Sequence, residues 1–209
     1  MKKYYRLEDI EKIKRKVGDD DDDDDLDSIF ETGIKKDENR IYFYQEVNKD
    51  NVLKLNTTIR NMNNTLLNRS NILSQEPGNI FLHINSTGGG LFDGLLASDI
   101  IRTNKVPIIT IVDGVAASAA TLMSIVGKKR FINKNSFMLI HQLSSGVWGT
   151  YHNIKDEKQN CDLLMKTIKK IYKEHTKVPI KKLEQILERD IWLSSEECLE
   201  YGLVDEILK

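Results

Sequence analysis

Residues 106–124, VPIITIVDGVAASAATLMS, are the stretch whose reading decides the fold. Val106 to Val112 is a short run rich in Ile and Val, bounded by turn formers, as a strand buried on both faces requires. Asp113-Gly114 interrupts it, and Ala116, Ala117, Ala119 and Ala120 then favour helix and allow other backbone to approach closely. The stretch predicts a buried strand turning into a helix, with Ser118 in the first helical turn. Unpaired backbone N–H groups and the positive end of the helix dipole favour negative charge there. A nucleophilic serine at that place has an oxyanion site beside it. A serine alone is ordinarily one more small residue at a packed helix start, so this chemistry requires partners elsewhere in the chain.

Working outward, Ile80 to Ile84 is a second apolar strand, which runs into Asn85-Ser86-Thr87-Gly88-Gly89-Gly90 and a helix from Leu91 to Thr103. Phe137 to His141 is a third strand, ending on a histidine. Residues 153–175 follow as a long amphipathic helix with Ile154, Cys161, Leu164, Met165, Ile168, Tyr172 and His175 near one face, and Pro179 helps to end it. Ile180 to Glu188 is a short helix. Ser194 and Glu197 form a capping-box pattern opening another, which closes at Gly202, and Leu203 to Leu208 is a last strand. On the amino-terminal side, Arg40 to Val47 reads as a strand and residues 50–68 as a helix with Val52, Leu55, Ile59 and Met62 on one face. The Asn-rich stretch up to Pro77-Gly78 then reads as a loop. Repeated strand-turn-helix units predict an α/β fold with largely parallel strands.

The composition narrows the class. A chain of 209 residues forms one sizeable core without disulfides or metals, and Cys161 and Cys198 make neither a close pair nor a Cys/His cluster. The overall net charge is −1, but residues 1–18 carry +4 and residues 19–27 carry −8. No basic footprint points to nucleic acid, and no apolar run reaches the length of a membrane span. A secretory or organelle-targeting reading fits the acid-containing start poorly, so the expected localisation is cytoplasmic. Leu7, Ile10, Ile13 and Val17 allow a short amphipathic helix, whereas Asp19 to Asp25 read as a flexible, solvated connector. Ordered structure is expected to resume near Ile29, with residues 1–27 as an amino-terminal segment and 28–209 as the domain.

Acyl transfer by a serine needs a base, a group that orients the base, and donors aimed at the developing oxyanion. His141, held at a strand end, is a competent base type. Asp190 lies in a polar break before Ile191-Trp192, so its carboxylate is expected to face inward, but Asp156, Asp162 and Asp205 are rival orienters that spacing alone does not separate. Gly88 to Gly90 free a backbone segment, with Gly89 and Ala119 as the expected donor pair. The triglycine lacks the spacing of a dinucleotide-binding loop and the Gly-Lys-Ser/Thr of a P-loop.

Four motifs in order, INSTGGG (84–90), DGVAASAA (113–120), FMLIHQ (137–142) and ERDIWLSSEECLEYGLVDEIL (188–208), resemble the ClpP family of ATP-dependent serine proteases. The resemblance implies a ClpP/crotonase-like fold with residues 153–175 as a protruding handle helix. It also implies Ser118 as nucleophile, His141 as general base, Asp190 as its orienter, and Gly89 and Ala119 as oxyanion donors. Two stacked heptameric rings would enclose the active sites and receive unfolded polypeptide. No cofactor is expected, because ATP would be used by a partner unfoldase of ClpX, ClpA or ClpC type. That partner's docking pocket maps onto Phe81, His83, Ile111, Phe131 and Leu208, and Arg189 fits the residue that couples ring contacts to the site. Thr87 stands where proline is common, His83 where an aromatic is usual, and Glu188 where aspartate is usual. Asp19 to Asp25 are expected at the axial entrance, gating or repelling acidic substrates. The competing expectations are a catalytically silent ring subunit, a crotonase-like acyl-CoA enzyme, a signal-peptide-peptidase-like enzyme with a lysine base, and a non-enzymatic assembly module.

Overall fold

The computed structural model describes residues 34–208. The expectations for the amphipathic start, for Asp19 to Asp25 and for Ile29 lie outside the described residues. The chain begins with a hairpin, in which β1 (Ile34–Asp37) pairs antiparallel with β2 (Arg40–Phe43) across a turn whose Glu38 has φ 49. β3 (Ile80–Ser86), β4 (Ile108–Ala117), β5 (Lys129–Asn133) and β8 (Glu206–Leu208) then continue the sheet in parallel, in the order β1-β2-β3-β4-β5-β8. β6 (Phe137–Leu139) branches off the second half of β4 and pairs antiparallel with β7 (Trp192–Leu193).

The two faces of this sheet differ in chemistry. Ile41, Phe43, Ile80, Leu82, Ile84, Ile108 and Ile132 alternate onto one face and are buried. They share one core with Val52, Leu55, Ile59 and Met62 of helix α1 (Lys49–Leu73) and Ala97 and Ile101 of helix α2 (Leu91–Thr103). The other face carries Tyr42, His83, Ile111 and Phe131 as register neighbours across four strands.

Two sequence expectations change here. β4 does not stop at Asp113-Gly114 but runs on to Ala117, so Ala116 and Ala117 are strand. Helix propensity is outweighed because Val115 to Ala117 find a new partner strand in β6, while Asn85 Oδ1 accepts a bond from the Val115 N–H where the ladder to β3 shifts register. The following helix, α3, is Ala119–Ile125, and Ser118 stands just before it. The Asn-rich stretch, in turn, is helical as far as Leu73. Asn63 is buried on the core face of α1, where its Oδ1 accepts from the Val106 N–H, and the helix ends at Ser74 in a left-handed conformation.

The remaining helices are α4 (Tyr151–His175), α5 (Ile180–Leu187) and α6 (Ser195–Glu200). α6 opens with the predicted Ser194/Glu197 capping box and is followed by Gly202 at φ 63. α4 starts on a Thr150/Asn153 capping box, buries Ile168 and Tyr172 near its carboxyl end, and leaves Ile154 and Leu163 exposed along its first part. Among the described residues, no helix is long and apolar enough to cross a membrane.

Candidate active site

Ser118 occupies the corner between β4 and α3 with φ 52 and ψ −127, a backbone conformation that favours glycine and costs a side-chain-bearing residue about 1–3 kcal/mol. Its N–H donates to the Leu139 carbonyl at 2.9 Å, while its own carbonyl accepts from the Thr121 N–H at 3.0 Å and from the Thr121 hydroxyl at 2.5 Å. The glycine loop explains itself by proximity. A Cβ on Gly88, which has φ 94, would lie 2.5 Å from the Ala117 carbonyl oxygen and 2.7 Å from Ser118 Cβ. Only glycine lets the loop pass that close to the serine.

The same loop frees one donor. Val47 donates to the Gly88 carbonyl at 2.8 Å and accepts from the Gly90 N–H at 2.7 Å, which leaves the Gly89 N–H out of that bridge. Ala119 is the first residue of α3, so its N–H has no acceptor within the helix. Gly89, Ala119, Ser118 and His141 all line one cleft of about 240 Å3, together with Leu122 and Tyr172.

β6 ends at Leu139, two residues short of His141, and the Gln142 N–H is then fastened to the Leu187 carbonyl at 2.8 Å. This places the His141 ring at the cleft with its side chain 26% exposed. Asp190 Oδ1 lies 3.8 Å from His141 Nδ1, an ion-pair separation too long for a hydrogen bond. The Asp190 side chain is 82% exposed, so the expected inward carboxylate is corrected. Its neighbours explain this: Asp190 lies in the irregular link between α5 and β7, and Arg189 and Ile191 beside it are also exposed. Among the described residues no hydrogen bond joins Ser118 to His141.

The other candidate carboxylates lie in surroundings of their own. Asp205 is held by Arg130, whose Nε donates to it at 3.1 Å and whose backbone N–H donates at 2.9 Å, and these bonds keep its carboxyl below the usual range despite partial burial. The same guanidinium also reaches the carbonyls of His175 and Gly202. Asp162 pairs with Lys158, and Asp156 is exposed on α4. Asp190 is the carboxylate beside His141. Arg189 is exposed and makes no ion pair among the described residues.

Phe81, His83, Ile111 and Phe131 share the outer sheet face, with Leu208 opposite Asn133 at its edge. There the structure shows a polar network that the sequence reading missed. His83 Nδ1 lies 2.7 Å from Asp113 Oδ2, the Tyr44 hydroxyl donates to the same oxygen at 2.6 Å, and Asn133 Nδ2 donates to Asp113 Oδ1 at 2.9 Å. Arg40 approaches His83 Nε2 at 2.9 Å, and Tyr42 stacks on the imidazole at 4.6 Å. A guanidinium only donates, so Nε2 accepts and Nδ1 carries the proton given to Asp113. Burial opposes ionisation of Asp113, but the bonds from His83, Tyr44 and Asn133 outweigh it and hold its carboxyl below the ordinary range. Alternation in β4 placed Asp113 on the face of Ile111, which was the available signal.

Comparison with known proteins bears on family and fold. The family model described as "Clp protease" matches residues 35–209. The ATP-dependent Clp protease proteolytic subunit of Deinococcus radiodurans is 34% identical over 170 residues, covering 79% of this chain and 83% of the relative. A solved single-residue variant of ClpP1 from Listeria monocytogenes superposes with a TM-score of 0.71 at 23% identity, covering 82% of this chain and 92% of that one, and shows the shared fold.

Proposed function

Because the chain belongs to the Clp protease family, we propose that it is a serine endopeptidase that cuts unfolded polypeptides by way of Ser118, His141 and Asp190. The observation that carries this reading is the single cleft onto which Ser118, His141, Gly89 and Ala119 converge. His141 takes the hydroxyl proton as Ser118 Oγ adds to the scissile carbonyl carbon, and Asp190 steadies the imidazolium. The N–H groups of Gly89 and Ala119 receive the oxyanion, and loss of one such donor costs about 3 kcal/mol of transition-state stabilisation. The intermediate collapses by expelling the amine, which takes its proton from His141. Water, deprotonated by the same imidazole, then adds to the acyl-enzyme and releases Ser118.

Assembly into two stacked heptameric rings accounts for the apolar residues that a single chain leaves in water. Leu53, Phe92 and Leu96 are exposed on α1 and α2, and Ile154 and Leu163 on the handle α4. In such a chamber a cytoplasmic AAA+ unfoldase of ClpX, ClpA or ClpC type consumes the ATP and delivers substrate, docking at Phe81, His83, Ile111, Phe131 and Leu208. Arg189 meets a neighbouring subunit, and this chain itself uses no cofactor.

The long His141–Asp190 separation favours a second reading, a catalytically silent ring subunit. Fluorophosphonate labelling followed by intact mass separates the two. Labelling of wild type but not of Ser118→Ala establishes the nucleophile. An unlabelled protein that sediments as a tetradecamer establishes the silent ring.

A further inference from the structure

Ser118 adopts its unusual backbone conformation without any glycine, so neighbouring bonds must hold it there. One residue supplies two of them. The Thr121 N–H and the Thr121 hydroxyl both end on the Ser118 carbonyl, at 3.0 Å and 2.5 Å. A threonine hydroxyl has a single proton, and here it is committed to that carbonyl. The Tyr172 hydroxyl, which is hydrogen-bonded to the same Thr121 oxygen, must therefore be the donor in that contact. A directed relay results, from Tyr172 O–H to Thr121 Oγ1 and from Thr121 O–H to the Ser118 carbonyl. Tyr172 is fully buried near the end of α4, and Thr121 is buried within α3. The relay thus runs from the handle helix to the backbone of the serine and involves none of the groups assigned to the reaction.

The geometry points to Tyr172 and Thr121 as positioning residues that hold the Ser118 carbonyl, and hence the direction of its side chain, from the handle helix. This rests on Ser118 being the nucleophile. The Tyr172 hydroxyl fixes the rotamer of Thr121, which otherwise could turn its proton away from Ser118 and release one of the two bonds on that carbonyl. A neutral hydrogen bond is worth only about 1 kcal/mol, but a nucleophile turned off its line of attack loses rate rather than substrate affinity.

The test uses the full chain with four variants, Tyr172→Phe, Thr121→Val, their double, and Thr121→Ser. Short-peptide hydrolysis and the rate of fluorophosphonate labelling are both measured. Tyr172→Phe and Thr121→Val should each lower kcat and the labelling rate by roughly 5–10-fold with KM within about twofold. The double should be no slower than Thr121→Val, because the tyrosine acts through the threonine. Thr121→Ser, which keeps the hydroxyl and loses the methyl, should retain wild-type kcat. Wild-type labelling at Ser118 with unchanged kcat in Tyr172→Phe and Thr121→Val overturns the positioning role alone. A rise in KM at constant kcat, or loss of kcat in Thr121→Ser equal to that in Thr121→Val, also overturns it in favour of a packing role. Failure of wild type to label at all overturns the nucleophile and the positioning together.

Discussion

The outer sheet face around Asp113 lies on β4 and the cleft beside Ser118 just past its end, yet the two treat their polar groups in opposite ways. Every partner around Asp113 is in place: Tyr44, His83 and Asn133 all bond it, and Arg40 closes the far side of the imidazole. Around Ser118 the bonds are spent on the backbone, while Gly89, Ala119 and His141 line a cleft. The first arrangement is a finished network, which rigidifies. The second, on the proposed reading, holds a nucleophile and its donors in readiness for a group that brings its own charge. Reactivity on this strand follows from which hydrogen bonds are left open.

Four substitutions test that contrast. Ser118→Ala should reduce peptide hydrolysis by about a millionfold at unchanged melting temperature, as loss of a triad nucleophile does. Gly88→Ala should come next, because its Cβ has no room beside Ala117 and Ser118. We expect a loss of at least roughly 100-fold in kcat/KM, and a lower melting temperature. Asp190→Asn should cost kcat only about 10–100-fold if the carboxylate works from its exposed position, whereas a loss near 10,000-fold would mean that the pair closes fully during the reaction. Asp113→Asn should leave short-peptide hydrolysis within about twofold of wild type but destabilise the domain by roughly 1–3 kcal/mol in denaturant unfolding. A large activity loss in that last variant would end the distinction between the two regions.

Acid sharpens it further. The Asp113 carboxyl is held below its ordinary value in the folded state, so its contribution is present above the unfolded carboxylate range, near 3.9. It is lost as pH falls below that range toward the folded value. Wild type should therefore lose stability with acidification more steeply than Asp113→Asn below about pH 4, measured by thermal melts across pH.

Much of this was legible in residues, for reasons that differ by element. The helix at Leu91–Thr103 was legible because Gly90 precedes an uninterrupted helical pattern and Lys105 to Pro107 close it. The capping box of α6 was legible because its partners are three residues apart. The end of β4 was not: alanines carry a helical preference, and only β6, some twenty residues away in sequence, turns Val115 to Ala117 into strand. The hairpin strand β1 was also unread, since IKKD has too few apolar residues to show a period. In the site, Ser118, His141, Gly89 and Ala119 line one cleft, whereas the outward Asp190 depends on the path of a link that no local pattern encodes.

Arg130 adds a consequence for handling the protein. By gripping Asp205 while reaching the carbonyls of His175 and Gly202, it fastens the last turn of the chain to the end of α4. Loss of the Asp205 carboxylate would therefore loosen the handle as well as the sheet edge that β8 forms with β5. Asp205→Ala should lower thermal resistance by releasing both attachments at once.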